Sequence, residues 1–186
     1  MKREFAVLDA EIPALPAHDF PSIKLTEAQR ILEKEFTIAC EGEPDLTPEH
    51  ERLLCEYALS QFNSDFIFIT HYPVEKRPMY AYEDENDLGY TKSFDLLFRG
   101  VEISSGGQRI HDYATLLEKI RQKIPGTDPE KTFGFYLQAF KYGMPPHGGM
   151  AVGLERLTAK MLGLANAKEA ALFPRDRGRI DTRLYE

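Results

Sequence analysis

SFDLLFRGVEISSGGQRIH, residues Ser93 to His111, decides how the rest of the chain is read. Phe94, Leu96 and Phe98 alternate with Asp95, Leu97 and Arg99, and Val101 and Ile103 alternate with Glu102 and Ser104, so a strand period runs nearly unbroken into a pair of glycines. The phase changes at Arg99-Gly100. Glycine inside a strand usually marks a bulge or bend, so a single bent strand over Phe94–Ser104 is expected. On that reading Glu102 and Ser104 share one face, opposite Val101 and Ile103, and Gly106-Gly107 clears side chains from the space before Arg109. A carboxylate, two hydroxyls, bare backbone and a guanidinium then converge, a set able to hold a divalent metal, phosphate oxygens and a small carboxylate. A surface hairpin with ordinary polar residues is the plainer alternative, and this stretch alone does not separate the two.

Working outward, Phe66–Thr70 is a continuous β-branched and aromatic run, short enough for a buried strand, and Met79-Tyr80-Ala81 is a candidate strand before the polar turn EDEND and Gly89. Connections between these segments are too short for a helical crossover, which predicts an antiparallel sheet. Helices are expected on both sides of it in sequence. Thr26 with Gln29 suggests a capping box, and Thr47 followed by Pro48 an N-cap with proline at the first position. Asp112 and Asp128-Pro129 open two amphipathic helices carrying Leu116, Ile120, Tyr136 and Phe140 inward, and a further helix carries Leu157 and Met161. Exposed aromatics on these helices would indicate a partner domain that covers them. The class is α+β, an antiparallel sheet flanked by helices. Residues 1–25, with Pro13, Pro16 and Pro21, read as an arm or connector, and 26–186 as the domain proper.

The composition is that of a globular protein: 42% hydrophobic and 28% charged. No run approaches the ~20 apolar residues that span a bilayer, and the first residues lack the apolar core of a secretory signal. Cys40 and Cys55 have no metal-ligand spacing and read as reduced thiols of a cytoplasmic protein. A formal net charge of −7 argues against a free-standing nucleic-acid binder, although Arg175, Arg177, Arg179 and Arg183 form a local basic patch. In MPPHGGMAVGLER, residues 144–156, a glycine-punctuated strand feeds a helix opening with Glu155-Arg156, which places backbone amides beside a cation. Such passages also occur for packing reasons.

Taken together, FDLLFRGVEISSGGQRIH, FYLQAFKYGMPPHGGMAVGLERL and LFPRDRGRID closely resemble the C-terminal part of the catalytic domain of class II aminoacyl-tRNA synthetases, the archaeal-type aspartyl group and its asparaginyl relatives. MPPHGG followed by GLER resembles the third signature motif of that class. The resemblance implies ATP and Mg2+ as cofactors, aspartate or asparagine as substrate, and tRNA as the acceptor. Carried over by position, Glu102 and Ser105 resemble the metal-binding pair at the ATP phosphates, and Arg109 the guanidinium that reads the substrate's side-chain carboxylate. Tyr80 resembles a tyrosine of the amino-acid pocket. Arg156 resembles the catalytic arginine that packs on adenine and meets the phosphates, with Gly149 and Gly153 admitting the nucleotide to the backbone.

Two departures stand out. Ala151 occupies a position where that family usually has glycine. The anticodon-binding barrel, the first motif and the second motif, with its α-phosphate arginine, have no counterpart, so the resemblance is to about half of a catalytic domain. Three readings follow: a portion of an aspartate- or asparagine-tRNA ligase, incomplete alone, as a split subunit or the C-terminal portion of a longer product, with an upstream-encoded synthetase half and a homodimer as candidate partners; a tRNA-independent aspartate-activating ligase of the asparagine synthetase type; or a remnant that binds an amino acid, a nucleotide or a partner without catalysis.

Overall fold

The computed structural model describes residues 2–174. A five-stranded sheet runs in the order β1 (Ser22–Lys24), β2 (Phe66–Thr70), β3 (Ser93–Phe98), β4 (Val101–Arg109), β5 (His147–Val152). β2 to β5 are antiparallel, as expected, but β1 pairs parallel to β2. The reason is the connection: between β1 and β2 the chain passes through α2 (Leu25–Phe36) and α3 (Pro48–Phe62), and a helical crossover of that length returns a strand in the same direction. A short α1 (Lys2–Val7) precedes them.

The stretch from Ser93 to His111 is two strands rather than one bent strand. Arg99 and Gly100, with φ of 46° and 82°, form the two central residues of a tight turn, and left-handed conformation at both positions matches the twist of a two-residue hairpin. The bulge lies further on. Leu97 pairs with Glu102 and Leu96 with Ser104, so Ile103 is the extra residue. It shifts the strand's parity: Glu102 and Ser105, three apart, lie on one face while Ser104 points to the other, which corrects the expected pairing of Glu102 with Ser104.

One sheet face is covered by α2 and α3, where Ile67, Ile69 and Leu97 are buried against Leu25, Leu32 and Leu54. A second cluster joins α4 (Tyr113–Lys123) and α5 (Pro129–Lys141) through Leu116, Ile120, Leu137 and Phe140, with Tyr80 and Tyr136 packed beside it. Leu116, Ile120 and Phe140 are buried as expected; Tyr136, Leu157 and Met161 are only half-buried. On α5 Phe135 is 98% exposed, and Tyr142 just after it 84%. The opposite sheet face carries an aromatic row in which Phe66 stacks on Phe98 at 4.4 Å and Phe20 meets Phe66 edge-on at 5.3 Å.

Caps follow the sequence with one exception. Thr47 accepts from the His50 N–H, Asp112 from Thr115, and Asp128 from Glu130 and Lys131. Thr26 caps nothing, because α2 begins one residue before it at Leu25, with Lys24 in the N-cap position and no side-chain cap bond. Met79–Ala81 is not a strand; Ala81 makes a single bridge to Arg109. Both cysteines are free and buried. Among the described residues no helix is long and apolar enough to cross a membrane. The basic residues from Arg175 onward lie outside the described residues.

Candidate amino-acid and nucleotide site

β4 sets out the site along its length. Arg109, Gly107 and Ser105 alternate onto one face, and the bulge at Ile103 brings Glu102 onto the same face. From Arg109 to Ser105 the strand advances about 13 Å at ~3.3 Å per residue. One end therefore presents a guanidinium and the other a carboxylate, with bare backbone between. The glycines are needed for more than access. A Cβ on Gly107 would sit 2.7 Å from the Lys92 carbonyl oxygen and 2.8 Å from Ser93 Cα, so the close approach of β3 alone demands glycine there.

At the guanidinium end, Arg109 lies over the Tyr80 ring, 5.0 Å from its centroid. Gly149, its neighbour on β5, leaves room for it, since a Cβ there would fall 2.9 Å from Arg109 Nη2. A cleft of about 180 Å³ opens here, lined by Arg77, Tyr80, Ser105, Gly107, Arg109 and Gly149 among others. Ala151 also lines it, so its methyl group sits on the floor opposite Ser105. Among the described residues Arg109 makes no ion pair with a carboxylate.

At the carboxylate end, burial pushes the Glu102 carboxyl up, with the charge of Asp95 adding to the effect, while the Arg156 and Arg77 cations and the nearby Ser105 hydroxyl oppose it. Burial likewise raises Glu51 of α3, whose Oε2 accepts from the Glu102 N–H at 2.9 Å. Arg156, in α6 (Leu154–Met161), turns back onto this residue: its Nη1 donates to the Glu102 carbonyl at 2.9 Å and lies 3.8 Å from Glu102 Oε2. Gly153 has room for a Cβ at ordinary contact distance.

Three residues of the site were not singled out from the sequence. Asp95 is buried at 6% exposure, pairs in register with Ser105, and is bound at 2.7 Å by Arg77 Nη2. Its Oδ1 is buried with no hydrogen-bond partner. Arg77 in turn lies 3.8 Å over the Tyr72 ring, whose phenol burial pushes up strongly. The available signal was a carboxylate in the inward phase of an otherwise apolar strand. Glu51, fifty-one positions from its partner, left none.

No group of three or more His, Cys, Asp or Glu side chains converges among the described residues. Two carboxylates and a hydroxyl nonetheless suit Mg2+, which ordinarily takes one or two protein carboxylates and completes its octahedron with water and substrate phosphate. The orphaned Oδ1 of Asp95 and the burial-raised Glu102 are groups that a cation would satisfy.

The family described as class II tRNA synthetases (D, K and N) matches residues 3–177. The chain belongs to this family. Among curated relatives, this synthetase chain is 53% identical to an aspartate–tRNA(Asp/Asn) ligase of Thermus thermophilus over 95% of its own length and 40% of the relative's, and 45% identical to the corresponding ligase of Aeropyrum pernix over 96% and 40%. It superposes on the aspartyl-tRNA synthetase of Entamoeba histolytica with a TM-score of 0.82 at 35% identity, covering 91% of this chain and 34% of that one. The asparaginyl-tRNA synthetase of Pyrococcus horikoshii complexed with asparaginyl-adenylate gives 0.77 at 36% identity, over 87% and 36%. The synthetase chain thus spans about 40% of the length of the curated relatives it matches.

Proposed function

We propose that this chain supplies the amino-acid pocket and the phosphate-side carboxylates of an ATP-dependent aspartate-activating synthetase, a tRNA ligase in which the matching region makes up about 40% of the curated relatives' length. The observation that carries the reading is Arg109, a guanidinium held on a strand over Tyr80 in a cleft, with no carboxylate partner among the described residues. A planar fork so placed receives a carboxylate through two parallel hydrogen bonds. That favours aspartate over asparagine.

In the proposed reaction an α-carboxylate oxygen of the amino acid attacks the α-phosphorus of ATP, the bond to the bridging oxygen breaks, and pyrophosphate leaves; a terminal ribose hydroxyl of tRNA then attacks the acyl carbon, losing its proton, the acyl–phosphate bond breaks, and AMP leaves. Arg109 and Tyr80 hold the side chain so that the α-carboxylate is presented toward Ser105. Glu102, Asp95 and Ser105 would hold Mg2+, which when bound supplies charge compensation at the phosphates. Arg156 adds a cation at the same end, and Gly149 and Gly153 leave backbone accessible to the nucleotide.

The test is aspartate-dependent ATP–pyrophosphate exchange by the chain alone and by a chimera joining it to the preceding part of the Thermus thermophilus relative. Losing one electrostatic contact to the transition state costs on the order of 10²–10³ in rate, so the chain alone is expected to be nearly inert and the chimera active. Exchange by neither sinks the catalytic reading. The second reading, amino-acid or nucleotide binding without catalysis, is favoured by the Ala151 methyl on the cleft floor; calorimetric binding by a chain whose chimera stays inert would establish it.

A further inference from the structure

On its outer edge Glu102 is held by side chains, where Ser104 to Arg109 are held by β5. β5 pairs with β4 only from Ser104 to Arg109, so at Glu102 the outer edge of β4 meets no strand. The two peptide groups of that residue turn instead to helices: the N–H to Glu51 Oε2 at 2.9 Å, and the C=O to Arg156 Nη1 at 2.9 Å. Ile103, the extra residue of the bulge, follows directly. Leu97 faces Glu102 across β3 and the Gly153 N–H holds the Ile103 carbonyl at 2.7 Å, so on the outer edge the bonds from Glu51 and Arg156 are what set the rotation of Glu102 itself. Losing one of them lets the residue twist beside the bulge, which swings its carboxylate away from Ser105 and Asp95.

We propose that Glu51 is a positioning residue, which acts through the Glu102 amide to aim the Glu102 carboxylate at the divalent-cation position beside Ser105 and Asp95. The inference rests on the reading of Glu102 as a cation ligand. Glu51 is suited to the role by its own anchoring. It sits in the first turn of α3, whose start is fixed by the Thr47 cap and Pro48 and whose buried face is locked in the larger core by Leu53, Leu54 and Ala58. The bond asks of the side chain only an acceptor oxygen, which glutamine retains and alanine does not; a role that rests on negative charge would not survive the change to glutamine.

The experiment uses the whole 186-residue chain and the variants Glu51→Gln, Glu51→Ala and Glu102→Ala, all first checked for an unchanged urea midpoint class of cooperative unfolding. Two readouts are taken: the chemical shift and exchange rate of the Glu102 amide proton by NMR, and Mn2+ binding by electron paramagnetic resonance in the presence of ATP. The expected result is that Glu51→Gln keeps the protected, downfield Glu102 amide and binds Mn2+ within about twofold of wild type. Glu51→Ala loses the protection and weakens Mn2+ by roughly 10–100-fold, the usual cost of removing an outer partner of a metal ligand. Equal losses in the glutamine and alanine variants overturn the positioning role in favour of charge. If Glu51→Ala binds Mn2+ like wild type while Glu102→Ala does not, the positioning role fails and the ligand reading stands. If Glu102→Ala binds like wild type, or wild type takes up no Mn2+, the ligand reading itself fails and the proposal with it.

Discussion

Arg99 and Asp65 tie the β3–β4 turn to the start of β2: Arg99 Nε donates to Asp65 Oδ2 at 3.1 Å, and Nη2 lies 3.1 Å from the same oxygen. The remaining donors of this guanidinium reach the carbonyls of Lys160 and Glu11, both at 3.2 Å, so one side chain joins the hairpin to α6 and to the N-terminal segment. Asp65 Oδ2 also accepts from the Ala14 N–H at 2.9 Å. Both side chains are largely buried, at 20% and 11% exposure, and removing one partner leaves the other charge uncompensated. Arg99→Ala should therefore lower stability by about 3–5 kcal/mol. The check is a double-mutant cycle with Asp65→Asn in urea; a coupling below ~0.5 kcal/mol would show that the pair does not hold the turn.

Gly107→Ala and Gly149→Ala should separate packing from binding. The added methyl at Gly107 meets fixed backbone of β3, whereas at Gly149 it meets the movable end of Arg109. Overpacking against backbone costs about 1–3 kcal/mol, so Gly107→Ala should lower the denaturation midpoint clearly. Gly149→Ala should leave the midpoint nearly unchanged and weaken aspartate binding, because Arg109 must move. Thermal melts and calorimetry distinguish the two, and a reversed pattern would contradict the geometry.

Particular residues mark how far the sequence carried. The caps at Thr47, Asp112 and Asp128, the helices they open and the strand Phe66–Thr70 were legible, because cap chemistry and hydrophobic period are local signals. The parity of β4 was not. A reader alternating strictly from Val101 pairs Glu102 with Ser104, since nothing in the local pattern announces that Ile103 is extra; the bulge exists because β3 pairs the neighbouring residues with Leu96 and Leu97. Resemblance nonetheless named Glu102 and Ser105, the pair the bulge brings together. The parallel β1 was hidden for another reason. Three residues with one buried side chain, Ile23, are too short to show a period, and their pairing depends on a crossover of two helices.

Cys55 should be unreactive in the folded chain and should make stability fall at high pH. Burial pushes its thiol up to about 11 from an ordinary value of 9.0. At pH 8 about one molecule in 10³ carries the thiolate, and alkylation proceeds through the thiolate. Iodoacetamide should modify Cys55 only after unfolding. The sign of the linkage follows from the raised value: the unfolded thiol ionises first, so the stabilisation is complete below pH 9 and is lost as pH rises toward 11. Rapid native alkylation at pH 8, read by mass spectrometry, would contradict the burial.

Arg109→Lys in the chimeric enzyme is the substitution that bears most directly on substrate choice. Lysine keeps the positive charge over Tyr80 but loses the planar fork, and a single point donor cannot make the two parallel bonds to a carboxylate. Aspartate binding should weaken by about 1.5–3 kcal/mol, the worth of a charged hydrogen bond, or roughly 10–150-fold. Asparagine, with a neutral amide, should bind weakly before and after the change. Arg121→Lys, on the exposed side of α4 and 3.9 Å from Glu118, should alter neither. Calorimetric titration of both amino acids into the three proteins makes the comparison. Equal effects of the two substitutions, or unchanged aspartate affinity in Arg109→Lys, would show that the side-chain carboxylate is read elsewhere.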